Sequence, residues 1–256
     1  MRRFLVATAL VGSLFLAGCA GDSPAPVAAV PSPSSADPAA AVSAFKESFD
    51  RLYEAGTFSM IVNVSSPVRG NNGVQIQAWV DDRRKALKSS VFQSGRSYEV
   101  VRLGDDLFVQ VEAGEWLRVD LGRLDPAAPL VQNIDITSFS GVLGGLVSAT
   151  HSGDQVGGPY TGVVDLRRAV EAAPASHRPA IEQVLDLATN ANALPIRGTL
   201  DDAGRLKELN YTVETAAGDV KTQIRADDFG EPVEIAAPPA AQVKQAAAEF
   251  YELVGA

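Results

Sequence analysis

Between residues 57 and 121 the chain alternates apolar and polar residues with a period of two, in short runs parted by breaks too brief to hold a helix. The first run sets Phe58, Met60, Val62 and Val64 on one face and Ser59, Ile61, Asn63 and Ser65 on the other, the pattern of a half-buried strand. Runs at 74–80, 86–92, 97–103, 107–111 and 115–121 follow, divided at Asp81-Asp82, Ser94-Gly95, Gly104-Asp105-Asp106 and Ala113-Gly114. Parallel neighbours need a crossover of about a dozen residues or more, so strands joined this tightly run antiparallel and lie in space in their chain order. The pattern predicts a meander with one buried face, and whatever else folds must cover that face. Trp116 is expected to cover one rim.

The rest of the chain supplies strands that extend the sheet and helices that can lie on it. Asp37-Pro38 reads as an N-cap followed by proline at the first helical position, with Val42, Phe45, Phe49 and Leu52 on one stripe as far as Gly56, which predicts one helix of about four turns. Prolines within 124–130 interrupt the sheet. Residues 138–149 carry Phe139, Val142, Leu143, Leu146 and Val147 among glycines; a short helix is expected, either gating a cavity or packing closely on the sheet. Strands follow near 150–156 and 160–166. Ser176 then caps a helix with Pro179 in its first turn and Ile181, Val184, Leu185 and Ala188 on its apolar side. The last sheet portion spans 195–200, 206–214 and 220–226, turning at Asp201-Asp202-Ala203-Gly204 and Ala217-Gly218, with Leu209, Tyr211 and Val213 on one face. A short terminal strand through Val233 and Ile235 stops at Pro238-Pro239. Val243, Ala247, Phe250 and Val254 predict a C-terminal helix.

Ahead of this region, Arg2-Arg3 precede an apolar segment ending in Leu16-Ala17-Gly18-Cys19. A basic start and an apolar run too short to span a bilayer read as a secretory signal peptide, and L-A-G-C as a lipobox. Residues 1–18 are then the signal peptide and Cys19 the acylated first residue of the mature chain. An ordinary signal peptide followed by cysteine, or an uncleaved anchor, are the alternatives. Residues 20–36 are Gly, Pro, Ser, Ala and Val with one aspartate, too little apolar surface to order a chain, so 19–36 read as a disordered tether. The folded domain is expected over 37–239, with a helical extension over 240–256.

The 256 residues carry a formal charge of −9, which removal of 1–18 would take to −11. Such acidity argues against nucleic acid and against peripheral binding to anionic lipid as the main business. Cys19 is the only cysteine, so the domain has no disulfide. His151 and His177 are the only histidines and lack metal-ligand spacing. The pairs Asp81-Asp82, Asp105-Asp106 and Asp201-Asp202 fall at turns, where aspartate bonds nearby backbone amides; Asp227-Asp228 is the exception. No G-x-S-x-G elbow, H-E-x-x-H motif or glycine-rich phosphate loop with lysine occurs. A non-enzymatic protein without metal or cofactor is expected, a hydrolase with a convergent site remaining the alternative.

In order and spacing these parts resemble the mycobacterial LppX/LprAFG lipoprotein family. The resemblance runs through L-A-G-C, a Pro/Ser tether, a helix leading into Phe58-Ser59-Met60-Ile61-Val62, then Gly104-Asp105-Asp106-Leu107-Phe108-Val109 followed by Trp116. It continues through 195–204 and Phe229-Gly230-Glu231-Pro232-Val233 to Pro238-Pro239, while the segment from Ala240 extends beyond the usual family ending. It implies an α+β fold: a large curved antiparallel β-sheet, a half-barrel, with helices packed on its concave face and an apolar cavity for multi-acyl lipids or glycolipids. It also implies a role in moving such lipids through the cell envelope, with Cys19 lipidated.

The apolar faces supply the expected cavity lining: Phe58, Met60, Val62, Val64, Ile76, Leu107, Val109, Leu209, Tyr211, Val213 and Ile224 from strands, and Phe139, Val142, Leu143, Leu146, Ile181 and Leu185 from helices. A monomer is expected, anchored on the extracytoplasmic face of the cell membrane, binding acylated lipid or glycolipid cargo, with an envelope transporter as a further partner. The alternative is a solid-core lipoprotein that recruits or regulates a membrane protein, because sequence does not distinguish a filled interior from a hollow one.

Overall fold

Two meanders grow from one central pair of strands. The computed structural model describes residues 37–67, 73–125, 128, 130–131, 136–153, 156–175 and 177–254, all within the compact unit Pro33–Ala256. The expected signal peptide, Cys19, the tether and Ser176 lie outside the described residues. The strands are β1 (Thr57–Ser65), β2 (Val74–Asp81), β3 (Ala86–Gln93), β4 (Arg96–Leu103), β5 (Asp106–Glu112), β6 (Glu115–Asp120), β7 (Leu146–His151), β8 (Gly158–Val164), β9 (Leu194–Leu200), β10 (Leu206–Val213), β11 (Val220–Asp227) and β12 (Val243–Gln245). They form one sheet in the order β12-β6-β5-β4-β3-β2-β1-β11-β10-β9-β8-β7. The first meander runs from β1 out to β6, and the second returns from β7 to β11, which closes on β1. Every pair is antiparallel except β12 with β6. The expected large antiparallel sheet is therefore present as an open sheet, with helices packed against it.

Cross-strand register shows why one face is apolar. Val91, Ile76, Val62, Ile224, Leu209, Gly198, Tyr160 and His151 are successive partners across β3, β2, β1, β11, β10, β9, β8 and β7. Helices α1 (Pro38–Glu47) and α2 (Asp50–Glu54) lie on this face. Gly198 lets α1 approach, because a Cβ there would stand 2.8 Å from the Phe45 ring. That ring packs on Tyr160 at a centroid distance of 5.3 Å, and Phe45, Phe49 and Leu52 are fully buried with Phe58, Met60, Val62 and Ile76.

The single helix expected from Pro38 to Gly56 is broken. The Ser48 hydroxyl donates to the Phe45 carbonyl at 2.8 Å, while the Ser48 carbonyl accepts from the Leu206 amide and Leu52 turns to Phe49 instead. Diverting the carbonyl that would continue the helix turns the chain, and both halves still reach the sheet.

The expected helix over 138–149 is a 3-10 segment, Ile136–Gly145, followed directly by β7. Helix α3 (Leu166–Ala172) was not legible as such: Leu166 continues an apolar run and reads as strand. Its start is nonetheless encoded, since the Asp165 carboxylate accepts from the Arg167 amide at 2.9 Å, an N-cap. Helix α4 (Arg178–Leu187) has Pro179 in its first turn and Ile181 buried, as expected, but its N-cap residue is His177 rather than Ser176.

The C-terminal segment departs most from the periodicity. Residues 231–239 form no strand; Val233 and Ile235 lie across the sheet face opposite the helices, with Ala86, Val101, Phe108 and Trp116. Val243 then opens a strand rather than a helix, and α5 (Ala248–Val254) follows. Its Tyr251 is buried with Val100, Leu107, Val109 and Val119, on the same face as α1. The tail thus passes from one face around the β6 edge to the other, and β12 covers backbone groups that an open edge would expose.

Candidate functional site

Phe139 apart, the residues expected to line a lipid cavity belong to the helix-facing side of the protein, but they fall into separate groups. Phe58, Met60, Val62, Ile76, Val142, Leu143, Leu146, Leu209, Tyr211, Val213 and Ile224 share one buried cluster, with Val64 and Leu185 packed against it half-buried. Leu107 and Val109 lie in a second cluster under Tyr251. Ile181 belongs to a third, with Ala169 and Ala173. The Phe139 side chain lies outside the described residues. Phe58, Val62, Ile76, Leu107, Leu209 and Ile224 have no solvent-accessible surface, so no water-sized space adjoins them in this arrangement. The layer is held by direct packing.

One polar atom interrupts it. Ser89 sits between Ala78 and Val100 on the helix-facing side; it is fully buried and its hydroxyl has no hydrogen-bond partner among the described residues. Among the described residues the other buried side-chain polar atoms are matched. The Tyr160 hydroxyl donates to the Val156 carbonyl at 2.9 Å, and His151 stacks on its ring at 4.3 Å. Burial pushes both the Tyr160 and Tyr211 phenols up.

The paired acids do structural work. Asp81 accepts from the Arg84 amide at 3.1 Å. Asp106 pairs with Arg118. Asp201 accepts from the amides of Ala203 and Arg205, at 3.0 and 2.9 Å, and from the Arg205 guanidinium at 2.7 Å. Burial alone would raise the Asp201 carboxyl, but these bonds outweigh it and hold the group below its ordinary value. Asp228 accepts from the Ser59 hydroxyl at 2.6 Å, and Asp227 from Arg225 at 2.6 Å. Among the described residues no three His, Cys, Asp or Glu side chains come together to hold a metal, and no helix is long and apolar enough to cross a membrane.

A hollow lies on the other side of the sheet. It is an open groove of about 900 Å³ bordered by Asn63, Ser65, Gln75, Phe92, Arg197, Asn210, Thr212, Lys221 and Gln223. Its floor is a row of cross-strand partners running Phe92, Gln75, Asn63, Gln223, Asn210, Arg197 from β3 to β9. Gln75 donates its side-chain amide to the Asn63 carbonyl oxygen at 2.9 Å. Asn210 and Gln223 both donate to one oxygen of Glu208, at 2.9 and 3.2 Å, and those two bonds hold the Glu208 carboxyl below its usual range. Of the expected cavity residues only Val64 and Tyr211 border this groove, lying between groove residues along their strands. Sequence reasoning missed the site because each groove residue occupies an ordinary outward position of a half-buried strand. Only the register brings the four amides into line.

No family model and no curated protein sequence matches the chain. Among solved structures it is similar to the lipoprotein LppX of Mycobacterium tuberculosis, at 15% identity and a TM-score of 0.48, over 77% of this chain and 99% of that one. It is also similar to a LolA superfamily protein of Nitrosomonas europaea, at 14% identity and a TM-score of 0.30, over 78% of this chain and 96% of that one.

Proposed function

We propose that the chain is a non-enzymatic, extracytoplasmic carrier of acylated lipids or glycolipids, anchored to the cell membrane through an acylated Cys19 and taking acyl chains between the sheet and its helices. The reading rests on the 3-10 segment Ile136–Gly145, ten residues long. Such runs beyond three or four residues are uncommon because their hydrogen bonds are poor, and a long one marks a hinge or a strained stretch. Val142 and Leu143 of this segment fill the same cluster as Phe45, Tyr160 and Leu209. Its withdrawal would offer that apolar surface to a cargo, at about 0.8 kcal/mol for each methylene buried. The order of motifs resembling the LppX/LprAFG family supports the same reading, with residues 19–36 as the leash and an envelope transporter as recipient.

A second reading is favoured by the absence of space beside Phe58, Val62 and Ile224: a solid-core module that recruits a membrane protein. Native mass spectrometry of the Cys19→Ala protein, followed by organic extraction and titration with a fluorescent fatty acid, separates the two. Co-purified lipid or saturable uptake is expected of a carrier. A protein that reproducibly holds no lipid and takes up no acyl probe is the recruitment module.

A further inference from the structure

The groove on the helix-free face meets the residues assigned to cargo only at Val64 and Tyr211. We infer that it binds an acidic glycan, a chain of sugar rings bearing carboxylate or phosphate groups. The first ground is charge. Arg197 and Lys221 both border the groove, no Asp or Glu is among its described lining residues, the Glu208 carboxylate behind the floor is occupied by Asn210 and Gln223, and neither cation makes an ion pair or a side-chain hydrogen bond among the described residues. On a chain of formal charge −9, two uncommitted cations bordering one hollow complement an anion.

The second ground is hydrogen bonding. Glu208 occupies amide donors of Asn210 and Gln223 and leaves their carbonyl oxygens as acceptors. Gln75 occupies the Asn63 carbonyl oxygen and leaves the Asn63 amide to donate. Planar amides repeating at the strand spacing of about 4.8 Å present donors and acceptors to the hydroxyls of a sugar chain. A peptide adding as a strand needs a sheet edge rather than a face. The third ground is Phe92, which ends the row and is 51% exposed, an aromatic surface on which a sugar ring can lie. From β3 to β9 the row spans about 24 Å, room for several rings. Two cations are few for a nucleic acid, whose affinity comes from many phosphate contacts.

The test is calorimetry on the full chain with an oligogalacturonate, set beside a malto-oligosaccharide of equal length, polyglutamate and phosphatidylglycerol vesicles. Side-chain amide NMR signals locate the contact. The oligogalacturonate is expected to bind, to weaken with salt and to shift the Asn63 and Gln223 amides, while the neutral sugar binds more weakly. Arg197→Gln and Lys221→Gln are each expected to weaken binding about tenfold, and Phe92→Ala several-fold. Arg197→Lys keeps the charge and should retain most of the affinity, which also serves if Arg197→Gln does not fold. The proposal is overturned by absence of oligogalacturonate binding, by binding unchanged in the Arg197 and Lys221 variants, or by equal affinity for polyglutamate that Phe92→Ala leaves untouched. Stronger binding to the vesicles than to the sugar also overturns it, in favour of a membrane surface. Acyl-probe uptake should be the same in all these variants, so this site and the carrier reading stand or fall separately.

Discussion

The Ala169 amide nitrogen occupies the space that a side chain at Gly145 would need: a Cβ on Gly145 would stand 2.8 Å from it and 2.9 Å from the Ala169 Cβ. The Gly145 carbonyl also accepts from the Asp165 amide at 2.9 Å, so the end of the 3-10 segment is locked onto the start of α3. Gly145→Ala should push these elements apart and destabilise the protein by about 1–3 kcal/mol, the usual cost of overpacking. Urea denaturation at neutral pH measures it. In a carrier the same variant should take up a fluorescent fatty acid faster, because the layer is already loosened.

Ser89 makes the opposite prediction. A fully buried hydroxyl without a partner forfeits its hydration and gains nothing in return. Ser89→Ala should therefore raise stability by about 1 kcal/mol, seen as a higher urea midpoint at unchanged slope. A loss of stability would mean that the hydroxyl is satisfied in solution.

The Asp201 turn gives a pH dependence with a definite sign. Its carboxyl is held below the ordinary value in the folded protein, so the pairing with Arg205 stabilises fully above the unfolded value, about 3.9, and is lost as pH falls through the folded value. Asp201→Asn should cost about 1–2 kcal/mol at pH 7. That deficit should shrink toward zero as urea melts are carried down through the acid range, and a deficit independent of pH would point to turn geometry rather than charge.

What sequence made legible follows from how local each signal is. Alternation marked the strands from β1 to β6, and tight turns fixed their pairing, because both depend on neighbours a few residues away. The break at Ser48 depends on the Leu206 amide far along the chain, and periodicity carries no trace of it. Val243 reads as the start of a helical stripe with Ala247 and Phe250, yet the unpaired edge of β6 draws 243–245 into a strand. Tertiary pairing overrode local preference there. The apolar faces were identified correctly as surfaces to be covered. Their division between α1 and α5 was not, since Leu107 and Ile76 carry the same signal and only their distance across the sheet separates them.

Tyr251 shows what the tail contributes. Its hydroxyl accepts from the Asp120 amide at 2.9 Å, its ring lies 3.7 Å beneath the Arg123 guanidinium, and its body is buried against the Leu107 and Val109 face. Lys244 adds an ion pair to Glu115 at 2.5 Å, but it is exposed and contributes little. Tyr251→Phe removes one acceptor and should cost about 1 kcal/mol, whereas Tyr251→Ala also empties the site and should cost about 3 kcal/mol or more. Both losses should appear in the single main unfolding transition, because the apolar face of β4 to β6 has α5 as part of its cover. If Tyr251→Ala instead left the main transition unchanged and only a minor early phase moved, residues 240–254 would be an appendage that docks on a sheet already stable without them.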